Sequence, residues 1–345
     1  MNNNKIVLAG LSLEEIEKIT AELNGSAFRA KQIHKWIYSK SASTIDEMTD
    51  LPLAFREELN KIAVVSAIKI KQRQISSDGT IKYLLEFADG NCVETVLMRF
   101  DNRSNLSACV SCQIGCKVGC KFCMTAKRGF VRDLTYAEII DQVLTIQRDT
   151  KLKVTNIVFM GQGEPLLNLK NIKKAIDIFN TDFQIGIRRM TLSTSGIIGG
   201  IEELAKEDIQ LTLAISLHAP NHALREKLMP IEKKYSIDKL MDALKKYVDT
   251  VGRRVTIEYI LIKDVNDSVE CAKELANLIH SLKCNINLIP YNECDCNDFK
   301  KPSKDSIMKF KYILEHSGKK ATVRLERGAD IDAACGQLSG KAKVL

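Results

Sequence analysis

The chain has 345 residues, with 51 lysines and arginines against 43 acidic residues, which gives a net charge of +8. Its apolar fraction of 45% excludes a disordered chain, and 18 glycines and 6 prolines are too few for a collagen-like or linker-dominated protein. No stretch approaches the roughly 20 apolar residues of a membrane span, and the amino-terminal residues resemble neither a secretory signal nor a transit peptide. We therefore expect a cytoplasmic protein with a barrel-sized domain and a smaller companion.

The first 70 residues predict a helical accessory domain. Ser12 and Glu15 have the spacing of a capping box, in which two residues cap each other at a helix start. Apolar residues recur at helical spacing in residues 12–23, 30–39 and 53–62. Basic and aromatic residues interleave in the second of these stretches, a combination that contacts phosphates and unpaired bases of RNA. The helical spacing of Trp36 nevertheless favours a place in the core.

Residues 71–105 predict a bridging β segment. Apolar and polar residues alternate around residues 68–70 and 83–87, and Asp78-Gly79 between them is typical of a hairpin turn. A third strand is expected over residues 92–100.

From residue 106 onward strands alternate with helices, and we assign residues 106–345 to the catalytic domain. Apolar runs predict strands over residues 106–110, 154–160, 190–193, 211–217, 255–262 and 286–289. Helical segments lie between most of these runs, such as residues 135–148 and 268–282. The order predicts an α/β fold with a parallel sheet, a partial (β/α)6 barrel, because six βα units are fewer than the eight of a closed barrel. Active groups in such folds lie at the carboxyl ends of the strands.

The eleven cysteines are unevenly distributed. An odd count without an export signal argues against a secreted disulfide framework. Five of them lie close together: Cys109, Cys112, Cys116, Cys120 and Cys123. In a reducing compartment such a cluster indicates metal or redox chemistry. The others can be small buried hydrophobic residues, namely Cys92, Cys271, Cys284, Cys294 and Cys296; Cys335 is considered below.

Cys116, Cys120 and Cys123 form a C-x3-C-x2-C motif. Thiolates are the ligands that iron–sulfur clusters require, and three of them on one loop hold three corners of a [4Fe-4S] cubane. The fourth iron then has no protein ligand and can bind a small molecule. The alternative is a zinc site, but zinc sites usually pair two C-x2-C units, and Cys294-Asp-Cys296 is too tight for a second pair.

This motif, with the aromatic Phe122 before its last cysteine, resembles that of the radical S-adenosylmethionine superfamily. The resemblance implies that the open iron binds S-adenosylmethionine, whose reductive cleavage yields a 5′-deoxyadenosyl radical. Residues 161–165, Gly-Gln-Gly-Glu-Pro, follow the second barrel strand and look like the superfamily segment that binds the amino group of this molecule. A glycine-rich turn alone is weak support, so the position of the segment carries the assignment.

Six further segments resemble one subfamily, the RlmN family of RNA methyltransferases: residues 93–96, 109–116, 192–196, 216–218, 287–292 and 330–337. The family methylates C2 of adenine, so the resemblance implies 23S rRNA and tRNA as partners. It also implies two S-adenosylmethionine molecules per turnover, an electron donor such as flavodoxin, a monomer and no membrane partner.

The resemblance assigns roles to three catalytic residues. Cys335 matches the cysteine that accepts the first methyl group and becomes S-methylcysteine. Cys109 matches the resolving cysteine, which releases the RNA adduct by forming a transient disulfide with Cys335. Glu94 matches the acceptor of the C2 proton. Taken alone, each residue could equally be a buried core or strand residue.

The resemblance also implies a binding set for S-adenosylmethionine, comprising Gly163, Glu164, Ser193, Ser216, Leu217, His218 and Asn292. Two alternatives stay open: a relative that methylates C8 of adenine and confers antibiotic resistance, and a non-catalytic RNA-binding protein with a zinc-stabilised loop. Cys112 has no assigned role, and the shape of the loop over residues 294–302 stays open. Basic pairs such as Lys127-Arg128 at predicted loop ends are candidate RNA phosphate contacts.

Overall fold

The computed structural model describes residues 5–100, 103–207, 209–294 and 297–340. Its strands are β1 (Ile6–Val7), β2 (Ala63–Val64), β3 (Lys69–Ile75), β4 (Ile81–Glu86), β5 (Cys92–Phe100), β6 (Arg103–Cys109), β7 (Gln113–Gly115), β8 (Phe130–Asp133), β9 (Asn156–Phe159), β10 (Met190–Thr194), β11 (Thr212–Ser216), β12 (Val255–Leu261), β13 (Cys284–Pro290) and β14 (Lys320–Val323). Its helices are α1 (Leu13–Glu22), α2 (Ala27–Tyr38), α3 (Leu53–Ile62), α4 (Met124–Lys127), α5 (Tyr136–Thr150), α6 (Leu169–Thr181), α7 (Ile198–Lys206), α8 (His222–Leu228), α9 (Ile237–Val251), α10 (Val269–Leu278) and α11 (Lys304–His316). Within these ranges no helix is long and apolar enough to cross a membrane.

The amino-terminal helices form where the sequence predicts them. The capping box of α1 is present, with the Ser12 hydroxyl accepting from the Glu15 amide and the Glu15 carboxylate accepting from the Ser12 amide. Trp36 is half-buried and packs against the main core, while its indole N–H donates to Asp50 at 2.6 Å. The helices are tied to the catalytic region by ion pairs such as Glu15–Lys174 at 2.7 Å. The division into domains at residues 70 and 105 stays a prediction.

One ten-stranded sheet runs through most of the chain, in the order β14-β13-β12-β11-β10-β9-β6-β5-β4-β3. Strands β3 to β6 are antiparallel, and the predicted hairpin between β3 and β4 turns at Gly79, whose φ of 78° lies in the left-handed region. Strands β6 and β9 to β14 are parallel. The α/β fold and all six predicted barrel strands are therefore confirmed.

A seventh parallel strand, β14, extends the sheet beyond the six predicted ones and pairs with β13. Its sequence Lys-Ala-Thr-Val offers only one fully buried side chain, Ala321, because it lies at the edge of the sheet. Two apolar residues in a polar stretch do not give the periodicity on which a strand prediction depends. The strand matters for function, because Arg324 follows it directly and enters the site described below.

Candidate active site at the carboxyl ends of the strands

The three cysteines of the C-x3-C-x2-C motif lie on a loop held by the short antiparallel pair β7 and β8. Cys116 directly follows β7, and its amide donates to the carbonyl of Gly129 at 3.2 Å. Gly115 allows this close approach, since a Cβ at that position would lie 1.5 Å from the Gly129 oxygen. Cys123 immediately precedes α4, so the loop is bounded by a β hairpin on one side and a helix on the other.

The thiols of Cys116, Cys120 and Cys123 face one cavity of about 160 Å³. Burial raises the pKa of all three thiols, that of Cys116 to about 12 and that of Cys120 well above its ordinary value. Thiolates in this cavity therefore require a bound positive charge, which an iron–sulfur core supplies. In the part of the chain that the structure describes, no three His, Cys, Asp or Glu side chains converge closely enough to hold one metal ion. Three thiols that line one cavity on one loop are a donor set that fits a cluster with three cysteine ligands.

Glu164 also lines this small cavity, after β9. Its two carboxylate oxygens accept from the Leu166 amide at 3.1 Å and the Ser195 amide at 2.7 Å. Burial raises the pKa of the Glu164 carboxyl, and these hydrogen bonds oppose that rise. Gly163 permits the turn before it, with φ of 105° and a virtual Cβ only 2.6 Å from the Gln113 side chain. A rigid carboxylate facing the thiols suits recognition of an ammonium group.

Ser193, Ser216 and His218 line the same small cavity. The two hydroxyl oxygens are 3.3 Å apart on the neighbouring strands β10 and β11. His218 has φ of 59° and accepts a hydrogen bond from the Ile260 amide through Nδ1 at 3.1 Å. Burial, with the nearby charge of Arg225, lowers the pKa of the His218 imidazole to about 3, so the ring is neutral at physiological pH.

Two members of the expected binding set lie elsewhere. The Leu217 side chain is fully buried in the main core, so only its backbone can be near the small cavity. Asn292 instead lines a second, larger cavity, and its side-chain amide donates to the carbonyl of Cys335 at 3.2 Å. The side-chain oxygen of Asn292 is buried and has no hydrogen-bond partner among the residues that the structure describes. An unsatisfied acceptor at this position is free to bind a ligand.

The larger cavity has a volume of about 610 Å³ and is lined by Cys109 and Cys335. Cys335 also lines the small cavity, as does Arg324, so these two residues stand at the junction between them. Burial and the neighbouring Cys335 raise the pKa of the Cys109 thiol to about 12. Cys335 and then Glu258 raise the pKa of the Arg324 guanidinium, which is therefore a permanent positive charge beside two thiols.

Glu94 is buried on β5 beneath the carboxy-terminal segment. One carboxylate oxygen is 3.0 Å from the ammonium of Lys82, and the other accepts from the amides of Ser339 at 2.5 Å and Gly340 at 2.7 Å. Among the described residues, those that line the two cavities do not include Glu94. The predicted proton acceptor is thus close to the Cys335 segment but covered by it.

The structure gives Cys112 a structural explanation. Its side chain is 2% exposed in the main core and lines neither cavity among the residues described. Its carbonyl accepts from the Leu134 amide and from the Asn168 side chain at 2.8 Å, which fixes the strand leading to the cluster loop.

Cys296 lies outside the described residues. The Arg128 guanidinium donates to the carbonyls of Cys92 and Gly340, and its contact with RNA phosphate stays a prediction.

Sequence reasoning missed two charged pairs in this region. Arg225 and Glu232 form an ion pair that is completely buried, and Arg225 also donates to the carbonyls of Ser195 and Leu217. Glu258 on β12 is buried, accepts from Asn287 at 3.0 Å and raises the pKa of the Arg324 guanidinium. Its other carboxylate oxygen has no hydrogen-bond partner within the described part of the chain. The sequence did contain a signal for Glu258, which is a glutamate within the apolar run 255–262. Charged residues are rarely buried in strands unless they are paired or functional.

Comparison with known proteins agrees with this geometry. A family model for the radical SAM superfamily matches residues 110–279, and one for the ribosomal RNA large subunit methyltransferase N-terminal domain matches residues 6–65. A crystal structure of a radical SAM methyltransferase from Sphaerobacter thermophilus superposes with a TM-score of 0.93 and 42% identity, covering 97% of this chain and 100% of that one. The fold is that of a radical SAM methyltransferase.

Relatives narrow this class further. The chain is 47% identical over 340 residues to a protein of Alkaliphilus oremlandii named a probable dual-specificity RNA methyltransferase RlmN, covering 98% of each. It is 45% identical over 334 residues to a protein of the same name from Thermotoga petrophila, covering 96% of each. The chain belongs to the RlmN family of radical SAM RNA methyltransferases.

Proposed function

We propose that the chain methylates C2 of adenine in 23S rRNA and in tRNA, with Cys335 as the carrier of the methyl group. One observation carries this proposal: Cys335 lines both the small cavity, which the three motif cysteines share, and the larger cavity, which Cys109 lines. A methyl carrier must reach the methyl donor on one side and the RNA base on the other. The larger cavity, at about 610 Å³, has the volume of a nucleotide-sized ligand site.

In the first step the Cys335 sulfur attacks the methyl carbon of S-adenosylmethionine, which forms a thioether and releases S-adenosylhomocysteine. Arg324 stabilises the thiolate that this attack requires, because its guanidinium carries a permanent charge at the cavity junction. Asn292 holds the Cys335 carbonyl and thereby fixes the side chain between the two cavities.

The second half of the reaction requires a radical, since C2 of adenine is electron-poor and does not attack a sulfonium methyl group. A [4Fe-4S] cluster held by Cys116, Cys120 and Cys123 supplies, when bound, the electron that cleaves a second S-adenosylmethionine. Glu164 holds the amino group of that molecule, and the hydroxyls of Ser193 and Ser216 contact its polar atoms. Gly163, the backbone of Leu217 and neutral His218 complete the wall against which it packs.

Release of the RNA falls to Cys109 and Glu94. The methyl carbon on Cys335 first loses a hydrogen atom to the deoxyadenosyl radical, bonds to C2 of adenine and gives up one electron to the electron carrier. The Cys109 thiolate then attacks the sulfur of Cys335 and the carbon–sulfur bond breaks. Its electron pair and a proton from solvent complete the methyl group on the base, and a Cys109–Cys335 disulfide remains. Glu94 accepts the proton that leaves C2. Both steps use residues that border the carboxy-terminal segment. An electron donor such as flavodoxin supplies the reducing equivalents, and the protein acts as a cytoplasmic monomer.

The experiment expresses the chain in a host that lacks its own adenine-C2 methyltransferase and analyses nucleosides from 23S rRNA and tRNA by mass spectrometry. We expect 2-methyladenosine in both RNAs and none with the Cys335→Ala variant. Appearance of 8-methyladenosine instead would contradict the C2 assignment, and an unmodified adenine in both RNAs would contradict the function. With Cys109→Ala, we expect a covalent protein–RNA adduct through Cys335; free RNA alone would remove Cys109 from its role.

A further inference from the structure

The segment that carries Cys335 is held in place by contacts of two kinds. Neutral hydrogen bonds join it to the region of the cluster loop, from the Met124 amide to the Gly336 carbonyl and from the Thr125 hydroxyl to the Leu338 carbonyl, both at 2.8 Å. A charged contact holds its end, where the amides of Ser339 and Gly340 converge on one oxygen of Glu94. Hydrogen bonds to an ionised carboxylate are about twice as strong as neutral ones, so this contact dominates.

Lys82 connects both ends of this segment. Its side chain is 5% exposed on β4. Its ammonium lies 3.0 Å from Oε1 of Glu94, whereas the amides of Ser339 and Gly340 bind Oε2. The same ammonium donates to the carbonyl of Asp332 at 3.1 Å, three residues before Cys335. Lys82 thus contacts the start of the segment directly and its end through Glu94.

We propose that Lys82 is a positioning residue for the methyl-transfer reaction, which pairs with the Glu94 carboxylate and keeps residues 332–340 in the conformation that places Cys335 between the two cavities. The inference rests on the proposed function and extends it. No part of the reaction described above requires Lys82, and its side chain lines neither cavity among the described residues. It acts only through Glu94 and the backbone of the segment.

The arrangement links proton transfer to movement of the segment. When Glu94 accepts the proton from C2, its carboxylate loses the negative charge that pairs with Lys82. The ion pair and the charge-assisted bonds from Ser339 and Gly340 are then weakened together. Arg128, which directly follows α4, is another charged side chain at this end of the segment and donates to the Gly340 carbonyl at 3.2 Å. Proton acceptance therefore loosens the Cys335 segment at the stage at which Cys109 must reach its sulfur.

The test is hydrogen exchange, followed by mass spectrometry, of the full-length protein with its cluster reconstituted. The variant is Lys82→Met, which keeps the length of the side chain and removes its charge, and Lys82→Arg is the conservative control. We expect amide exchange in residues 332–340 to accelerate at least about tenfold in Lys82→Met. Exchange in the distant helix α9 should be unchanged, and Lys82→Arg should restore most of the protection.

A second readout separates positioning from general stability. Because Lys82 touches neither cavity, Lys82→Met should lower kcat for RNA methylation at least about tenfold and leave the KM for S-adenosylmethionine within about twofold of wild type. Unchanged exchange in residues 332–340, or an equal loss in both kinetic parameters, would overturn the proposal.

If Lys82→Met does not fold, Ser339→Pro tests the same contact from the segment. This variant deletes one amide donor to Glu94 and leaves the Lys82–Glu94 pair intact, so exchange at residues 332–340 should again accelerate; unchanged exchange would overturn the proposal. The exchange measurement needs neither RNA nor turnover. A chain that fails to methylate adenine but loosens in Lys82→Met would therefore contradict the proposed function and leave the positioning role of Lys82 supported.

Discussion

The buried ion pair between Arg225 and Glu232 gives the sharpest prediction for stability. Both side chains are 0% exposed, and Arg225 also donates to the carbonyls of Ser195 at 2.7 Å and Leu217 at 3.3 Å. Arg225→Met removes the guanidinium from the buried Glu232 carboxylate, which keeps only its hydrogen bonds with His222 and the Ile237 amide. It also removes the Arg225 donor from three carbonyls, those of Ser195, Leu217 and Tyr235. Loss of one partner from a buried ion pair lowers the free energy of unfolding by about 3–5 kcal/mol. For Arg225→Met we expect a decrease of about 4 kcal/mol.

The same substitution should weaken binding of S-adenosylmethionine. The Ser195 peptide is fixed on both sides, because its amide donates to Glu164 and its carbonyl accepts from Arg225. Leu217 lies between Ser216 and His218, so its carbonyl fixes a second wall of the small cavity. Without Arg225 both walls gain freedom, and ordering them again on binding costs free energy.

The assay is urea denaturation followed by far-ultraviolet circular dichroism, with Glu232→Gln as a second variant of the same pair. Lys61→Met is the matched control, because its ion pair with Glu58 is more than half exposed on both sides and should contribute less than about 1 kcal/mol. A loss of less than about 1 kcal/mol in Arg225→Met would refute the reasoning, since it would mean that water or another group replaces the guanidinium.

Three further predictions concern single residues of the site. The pKa of His218 is about 3 in the folded protein against an ordinary value of 6.5, so its neutral form contributes stability above pH 6.5 that is lost as the pH falls toward 3. Between pH 7 and 5 the free energy of unfolding of the wild type should fall by about 2 kcal/mol more than that of His218→Gln. Equal decreases for the two proteins in urea denaturation would contradict this prediction. The rate of alkylation of Cys109 by iodoacetamide should rise about tenfold per pH unit from pH 8 to 10, because burial raises the pKa of its thiol to about 12. The labelling is followed by mass spectrometry. A rate that becomes constant below pH 9 would show a more acidic thiol and contradict the prediction. Cys112→Ala should lower the free energy of unfolding, measured by urea denaturation, by about 1 kcal/mol, because Cys112 lies in the core. The iron content should be unchanged, and a loss of iron would show a role in cluster assembly.

Local pattern determined much of the fold and of the cluster loop. Capping boxes at Ser12 and Thr135 and the Asp78-Gly79 turn depend on residues close in sequence, and the structure has all three. The spacing of Cys116, Cys120 and Cys123 places three thiols on one short loop, and in the structure they line one small cavity. The prediction of Glu164 depended on the resemblance of residues 161–165 to a superfamily segment, together with their position after the second barrel strand.

Only the tertiary structure decided which distant groups meet. The contact between Glu94 and the carboxy-terminal amides joins residues about 245 positions apart in the chain, and Lys82 joins it from β4. No spacing in the sequence predicts this contact. The pair Arg225–Glu232 and the position of Arg324 behind the unpredicted strand β14 follow from packing in the same way. The eleven cysteines show this division. The sequence separated the motif from the rest and, through the family resemblance, singled out Cys109 and Cys335. The tertiary structure assigned Cys112 to packing in the core and placed Cys335 in the lining of two cavities. The physical reason is that periodicity and spacing report on neighbours along the chain, while charge pairing and shared cavities depend on the free energy of the whole fold.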